Sequence, residues 1–158
     1  MCVGVCMRCK YTLPLLLLFL CCTAVACAQQ PNAPMYLDAY KWKNRLVLVF
    51  VPDEANAAYL SQKEMLYAEK PKLNERDIVL IELVGGNKLY IDGKLQHEKQ
   101  AKAIQGWFQV PPDSFAILLL GKDGTEKLRR NQPVEPEELF GLIDQMPMRR
   151  QEMRNDKN

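Results

Sequence analysis

Six consecutive apolar residues at 46–51 (Leu-Val-Leu-Val-Phe-Val) carry no polar alternation. A strand with one wet face alternates apolar and polar positions, so this run predicts a strand buried on both faces, as at the middle of a helix-covered sheet. A helix over about 54–70 is predicted to follow it. Asp53 is its candidate N-cap, Ala58, Tyr59, Met65 and Leu66 fall on one face, and Pro71 stops it. Residues 77–84 predict a second buried strand with one charge inside it, Glu82, closed by Gly85-Gly86. Leu89, Tyr90 and Ile91, set against Lys94 and Leu95 around Asp92-Gly93, predict a small hairpin within 87–96.

Further on, Ala101, Ile104, Trp107 and Phe108 share a helix face over 98–108, which the two prolines at 111 and 112 end. Residues 115–120 predict a third apolar strand, Gly121-Lys122-Asp123-Gly124 a hairpin turn, and 126–130 a polar edge strand. Pro133 and Pro136 bracket the start of a last helix that buries Leu139, Phe140, Leu142 and Ile143. Pro147 is expected to end it, leaving the chain extended with Met146 and Met148 both packed inward, and residues past 153 frayed. Leu37, Tyr40 and Trp42 add apolar weight ahead of the first strand. The fold class that follows is α/β: a thioredoxin-like sheet with helices on both faces, in the order strand-helix-strand-helix-strand-strand-helix. Right-handed crossovers place the first two strands parallel at its middle. Flavodoxin-like folds begin in the same way, and the tight hairpin at 122–124 before the last helix separates the two.

The amino terminus changes the picture of compartment. Arg8 and Lys10 precede a nearly unbroken apolar run at 13–25, and small residues follow. The run is shorter than the ~20 residues that span a bilayer, so 1–28 is read as a secretion signal. Cuts after Ala26 and after Ala28 both fit the small-x-small rule. Ala24-Val25-Ala26-Cys27 is similar to a bacterial lipobox, so Cys27 is a possible lipidation site, with plain soluble export the preferred reading. Residues 29–36 are read as a linker, 37–153 as the domain and 154–158 as a disordered tail.

All six cysteines, at 2, 6, 9, 21, 22 and 27, lie in or beside this leader. The Cys6-Met7-Arg8-Cys9 motif is therefore removed before folding, and no redox or zinc chemistry is built on it. The formal net charge of +2 comes from Arg8 and Lys10, so the chain from Gln29 onward is neutral. A neutral chain has no basic field for nucleic acid or an anionic membrane, and membrane contact is expected only through a lipid on Cys27.

Several segments carry a family resemblance: Tyr40-Lys41-Trp42-Lys43-Asn44-Arg45, Gln62, Glu75-Arg76-Asp77-Ile78-Val79, Leu120-Gly121-Lys122-Asp123-Gly124, and residues 143–150 with Met146-Pro147-Met148-Arg149-Arg150. Over 37–153 the chain resembles the DUDES domain, a thioredoxin-like, peroxiredoxin-related domain of unknown function. That domain occurs singly in exported bacterial proteins and as repeats in some animal secreted matrix proteins. The resemblance implies the fold and carries no activity with it.

In a thioredoxin-type fold the turn 52–58 meets the loop 111–114, so Asp53, Glu54, Asn56, Asp113 and Ser114 are the candidate binding residues, with a cis Pro112 as a further possibility. Against this, Asp53 and Glu54 also suit a helix start, whose dipole favours their charged forms. Arg149 and Arg150 are candidates for a basic clamp on the last helix or for a carboxylate or phosphate on a partner. His97 has no second ligand at metal spacing and reads as a loop residue; no metal, cofactor or catalytic set can be assembled. The expected function is a non-catalytic binding or adaptor module of the bacterial envelope, exported to the periplasm or beyond, with an unknown envelope protein or peptide as partner. The alternative is a thiol-independent enzyme or cation-binding protein using Asp53, Glu54 and Asp113.

Overall fold

The computed structural model describes residues 35–156, and at their centre lies the strand read from the first apolar run, β1 (Arg45–Val51), every residue of which is buried. Because successive side chains point to opposite faces, Leu46, Leu48 and Phe50 enter one apolar cluster and Val47, Val49 and Val51 another. One helical turn, α1 (Met35–Asp38), precedes β1 and places Leu37 in the first cluster. A longer helix, α2 (Ala57–Ala68), and a short one, α3 (Lys70–Glu75), cover the second cluster on the way to β2 (Ile78–Val84). β2 lies parallel to β1, with Leu48 opposite Ile81.

The hairpin of β3 (Lys88–Ile91) and β4 (Lys94–Leu95) extends the sheet beyond β2, and α4 (Glu98–Phe108) returns over the first cluster. β5 (Ala116–Leu120) runs antiparallel to the free side of β1, and β6 (Glu126–Arg130) pairs outside it. The sheet order is therefore β4-β3-β2-β1-β5-β6. α5 (Pro136–Asp144) packs beside α2 and α3, and α6 (Pro147–Asn155) closes the described chain. Helices on both faces of a sheet with a parallel central pair agree with the fold class expected from the pattern.

Helices α2 and α5 end at Ala68 and Asp144, ahead of Pro71 and Pro147 as the sequence predicts, but several local expectations for the chain beyond them differ from the structure. Pro71 and Pro147 both sit in the first turn of a helix, α3 and α6. A proline there loses no bond, since the first N–H groups of a helix have no internal partner, and its fixed φ suits the helix. The chain after α5 therefore turns through an extended Met146 (φ −67°, ψ 140°) into a second helix. Met146 packs on the core, whereas Met148 is 38% exposed. Helix α6 runs to Asn155, beyond the expected fray, and α1 begins inside the expected linker. Trp42, with φ 63°, turns its ring outward and is 67% exposed, so it adds nothing to the core. All peptide bonds among the described residues are trans, Pro112 included. The leader 1–28, Cys27, most of the linker and residues 157–158 lie outside the described residues.

Helix α2 begins three residues later than expected. Asn56, not Asp53, caps it, its Oδ1 accepting the Tyr59 N–H at 3.1 Å, while Asp53 closes a tighter turn by accepting the Ala55 N–H at 2.8 Å. Its buried residues are Tyr59, Gln62 and Leu66. Gln62 is completely buried and clamps the backbone of Val134: its Nε2 donates to the carbonyl at 2.9 Å and its Oε1 accepts the N–H at 2.6 Å. The loop ahead of α5 is thereby tied to α2. Replacing Gln62 with Leu leaves two buried backbone groups without partners, and urea unfolding should show a loss of ~2–4 kcal/mol. A loss below ~0.5 kcal/mol would show that the clamp contributes nothing.

Candidate functional site

The C-terminal ends of β1 and β2 lie side by side, and the segments 52–56, 85–87 and 111–115 leave the sheet at this end. The Gly85-Gly86 turn stands between the two candidate loops. A Cβ on Gly85 would lie 3.3 Å from the Pro52 carbonyl oxygen, and one on Gly86 would lie 3.3 Å from Pro112 Cβ; both glycines have positive φ. Glu54 turns away from Asp113 toward β3. Its Oε1 accepts hydrogen bonds from Lys88 Nζ at 2.9 Å and from Tyr90 Oη at 3.1 Å. The Lys88 hydrogen bond, then the Tyr90 bond, hold its carboxyl below the usual range. Asp53 and Asn56 bond to local backbone, Asp113 is exposed, and Ser114 is half-buried with its N–H on the Pro111 carbonyl at 3.1 Å. Among the described residues no three His, Cys, Asp or Glu side chains form a group that could hold a metal ion, so Asp53, Glu54 and Asp113 do not make the joint acidic cluster that a cation site requires. His97 lies exposed, preceding α4.

Behind this end lies a polar cluster that the sequence signals only through the isolated charge of Glu82. The Glu82 carboxylate is 1% exposed inside an apolar sheet. Tyr59, Lys63 and Tyr67, spaced four apart on α2, all reach it: Tyr59 Oη donates to Oε1 at 2.8 Å, Tyr67 Oη donates to Oε2 at 3.1 Å, and Lys63 Nζ stands 3.4 Å from Oε1. The ammonium also donates to Tyr59 Oη at 3.0 Å and lies 5.1 and 5.6 Å from the centres of the two tyrosine rings. Burial, reinforced by the Glu82 charge, pushes the Tyr67 phenol up to about 12, and burial first of all raises Tyr59. Burial works against the charged Lys63, but the Tyr59 hydrogen bond and Glu82 outweigh it and raise its pKa. Neither phenol nor the ammonium titrates near neutrality, so these three groups act as fixed donors to Glu82 rather than as acid–base catalysts.

The opposite end of the sheet holds the second network, which takes in Arg149. Arg45, 1% exposed at the start of β1, donates from Nη1 and Nη2 to the two carboxylate oxygens of Glu152 at 3.1 and 3.2 Å, and from Nη1 to the Arg76 carbonyl at 2.9 Å. Lys122 joins Glu152 at 2.8 Å and Asp77 at 2.7 Å. Arg76 forks onto Asp144 at 3.0 and 2.7 Å and lies 4.7 Å from the Phe140 ring centre. Arg149 is 2% exposed; it pairs with Asp144 at 3.3 Å, bonds the Glu75 carbonyl at 3.1 Å and meets the Glu75 carboxylate. A guanidinium held in this way presents no face to a partner, whereas Arg150 is exposed.

Three comparisons place this geometry among known proteins. The family model described as "Domain of unknown function (DUF4174)" matches residues 36–152. The chain is 31% identical over 134 residues to coiled-coil domain-containing protein 80 of Danio rerio, covering 75% of this chain and 16% of that protein. It is 34% identical over 125 residues to the sushi repeat-containing protein SRPX of Rattus norvegicus, covering 77% of this chain and 27% of that one. The chain thus spans about a quarter or less of the curated relatives it matches. Among solved structures, a reduced 2-Cys peroxiredoxin of Plasmodium vivax superposes with TM-score 0.55 at 14% identity, over 74% of this chain and 84% of that one. At that identity the likeness shows the fold, in agreement with the thioredoxin-like architecture read from the pattern.

Two outcomes test the networks. Lys63→Met strips Glu82 of its countercharge and should destabilise the fold by ~1–3 kcal/mol, the lower figures reflecting the half-exposed lysine; adding Glu82→Gln should recover most of the loss. Equal loss in single and double variants would show the two residues to be uncoupled. For Asp144 and Glu152 burial favours the neutral acid. The Arg76 bonds to Asp144, and the Lys122 and Arg45 bonds to Glu152, win and hold both carboxyls below the ordinary range. Their stabilisation is therefore complete above the unfolded carboxyl values of about 4 and is lost as pH falls through the lower folded values. Melting temperature should drop below about pH 4, and Asp144→Asn should flatten that drop while lowering stability at neutral pH.

Proposed function

The chain belongs to the DUF4174 family, and on that premise we propose that it is an exported thioredoxin-like binding or adaptor module of the bacterial envelope that works without a thiol. The observation that carries this reading is the turn after β1. Where thioredoxin-type enzymes place their reactive thiols, this chain has Pro52-Asp53-Glu54-Ala55-Asn56, and no cysteine occurs after Cys27. Disulfide and peroxide chemistry need a thiolate, and the polar side chains of this turn serve local structure: Asp53 closes the turn, Asn56 caps α2 and Glu54 pairs with Lys88. The small share of the fish and rat relatives that the chain spans supports a module that can be joined to other domains. The basic, apolar and small-residue order of 1–28 supports export, with membrane attachment only through a lipid on Cys27. The partner is an envelope protein or peptide.

Mass spectrometry of the protein recovered from its producing cell should find a terminus at Cys27 or Gln29; a diacylglyceryl-Cys27 marks a lipoprotein, and an intact Met1 refutes export. The processed protein should neither reduce insulin disulfides nor consume peroxide at a rate above the uncatalysed one. Turnover by the processed protein in either assay would sink the thiol-free reading.

A further inference from the structure

Alone among the described helices, α6 sends no side chain into either apolar cluster. Leu37 of α1, Leu66 of α2, Leu73 of α3, Ile104 of α4 and Leu139 of α5 are all buried there. The one buried residue of α6 is Arg149; Pro147 and Met148 are exposed, and Met153 is half-buried outside both clusters. A helix of nine residues does not persist alone in water, so α6 depends on what ties it down. We infer that α6 is a strap held by charge: it lifts off the start of β1 and returns as a unit while the sheet and the other helices stay folded.

Arg149 and Glu152, three residues apart, make the attachment to four neighbouring elements. Glu152 accepts from Arg45 of β1 at 3.1 and 3.2 Å and from Lys122 of the β5–β6 turn at 2.8 Å. Arg149 pairs with Asp144 of α5 at 3.3 Å and donates to the Glu75 carbonyl of α3 at 3.1 Å. Such pairs return about what their desolvation costs, and a segment with no buried apolar contact opens ahead of a segment that has many. The hinge is also in place. Met146 packs on the core with an extended backbone, and Pro147 beside it has no N–H to bond back to α5. The core therefore ends at Met146, and the strap begins at Pro147.

Most of the network survives the opening. Arg76 keeps Asp144 at 2.7 Å, Lys122 keeps Asp77 at 2.7 Å, and Arg45 keeps the Arg76 carbonyl at 2.9 Å. The cation that loses its carboxylate altogether is Arg45, which is 1% exposed under the closed strap and lacks an acceptor at Nε even there. Water reaches this guanidinium once α6 lifts, so the open form leaves no bare charge in the core. Recovery of both Glu152 oxygens by the Arg45 fork draws the strap shut. The strap lies at the opposite end of the sheet from the turn after β1, so the redox and export tests of the thiol-free reading do not depend on it.

Native-state hydrogen exchange on the intact purified protein, at neutral pH and in urea well below the unfolding midpoint, tests the strap. The hydrogen-bonded amides of α6 should share one opening constant and be protected at least about 100-fold less than the slowest amides of β1. Two variants separate this from ordinary unfolding. Lys63→Met weakens the folded core whether the strap is open or closed, so it should lower β1 protection at least about five-fold and leave α6 protection unchanged. Glu152→Gln weakens the closed form alone, so it should lower α6 and β1 protection by one common factor of at least about three. Protection of α6 equal to that of β1, or graded from the chain end as in fraying, overturns the inference. So does a Lys63→Met variant in which α6 and β1 lose protection together, or a Glu152→Gln variant in which α6 loses none.

Discussion

Everything in this fold answers to the burial of β1 on both faces. After Arg45 the strand has no polar position and cannot leave either side to water, so each alternate set of its apolar side chains demands a covering layer. Val47, Val49 and Val51 are covered by α2, α3 and α5, and Leu46, Leu48 and Phe50 by α1 and α4. A single apolar strand side chain contributes ~1.5–3 kcal/mol when fully buried, so six of them outweigh any one of the polar contacts around them. The parallel pairing with β2 follows, because a helical crossover is what brings the chain back beside its starting strand while covering one face.

That dominance explains which features could be read from the chain. Apolar runs at β1, β2 and β5, the Gly121–Gly124 hairpin and the periodic face of α4 are local patterns that burial alone enforces, and each appears where the pattern placed it. The errors lie where one residue type supports two geometries. Proline bars helix continuation and equally starts a helix: α2 and α5 end before Pro71 and Pro147 as expected, and each proline then opens a further helix that buries Leu73 or Arg149. Asp53 and Asn56 are both capping residues, and only the bond to the Tyr59 N–H decides between them. The site was less legible than the fold. Topology brings the turn after β1 and the loop before β5 to one end of the sheet, but Glu54 takes its partners from β3, whose Lys88 and Tyr90 lie more than 30 residues away in sequence. Glu82 stood out as the single charge in β2, and the Tyr59, Lys63 and Tyr67 spacing was there to be seen. Joining them required knowing that α2 crosses β2 on the face Glu82 occupies.

The two ends of the sheet carry different kinds of polar structure, and the difference bears on function. At the end where β1 and β2 finish, the buried Glu82 is satisfied from a single helix, and the groups above it are exposed or half-buried, with Glu54 held by Lys88 and Tyr90 of β3. At the other end Arg45 and Arg149 are almost wholly buried and tie α6 to β1 and to the end of α3, while Lys122 ties it to the β5–β6 turn. Removing water from an ion pair costs about as much as the pair returns, so such a network adds little net stability beside an apolar alternative. Its geometric demands are strict, because each guanidinium fork accepts its carboxylate in one orientation only. It therefore serves to fix where α6 lies more than how firmly the domain is folded.

Seen this way, the segments that carry the family resemblance acquire a physical meaning. Arg45, Glu75, Arg76, Asp77, Lys122, Asp144 and Arg149 come from four separated stretches of sequence, and all of them meet in this one network. Gln62, another of these residues, holds the approach to α5. The shared motifs thus describe how the C-terminal helices are latched to the sheet, at the end remote from the turn where this fold elsewhere does its redox chemistry. A signature of that kind identifies the architecture without naming a ligand, because its charged groups pair with one another, Arg45 Nε alone among their buried side-chain atoms lacking a hydrogen-bond partner.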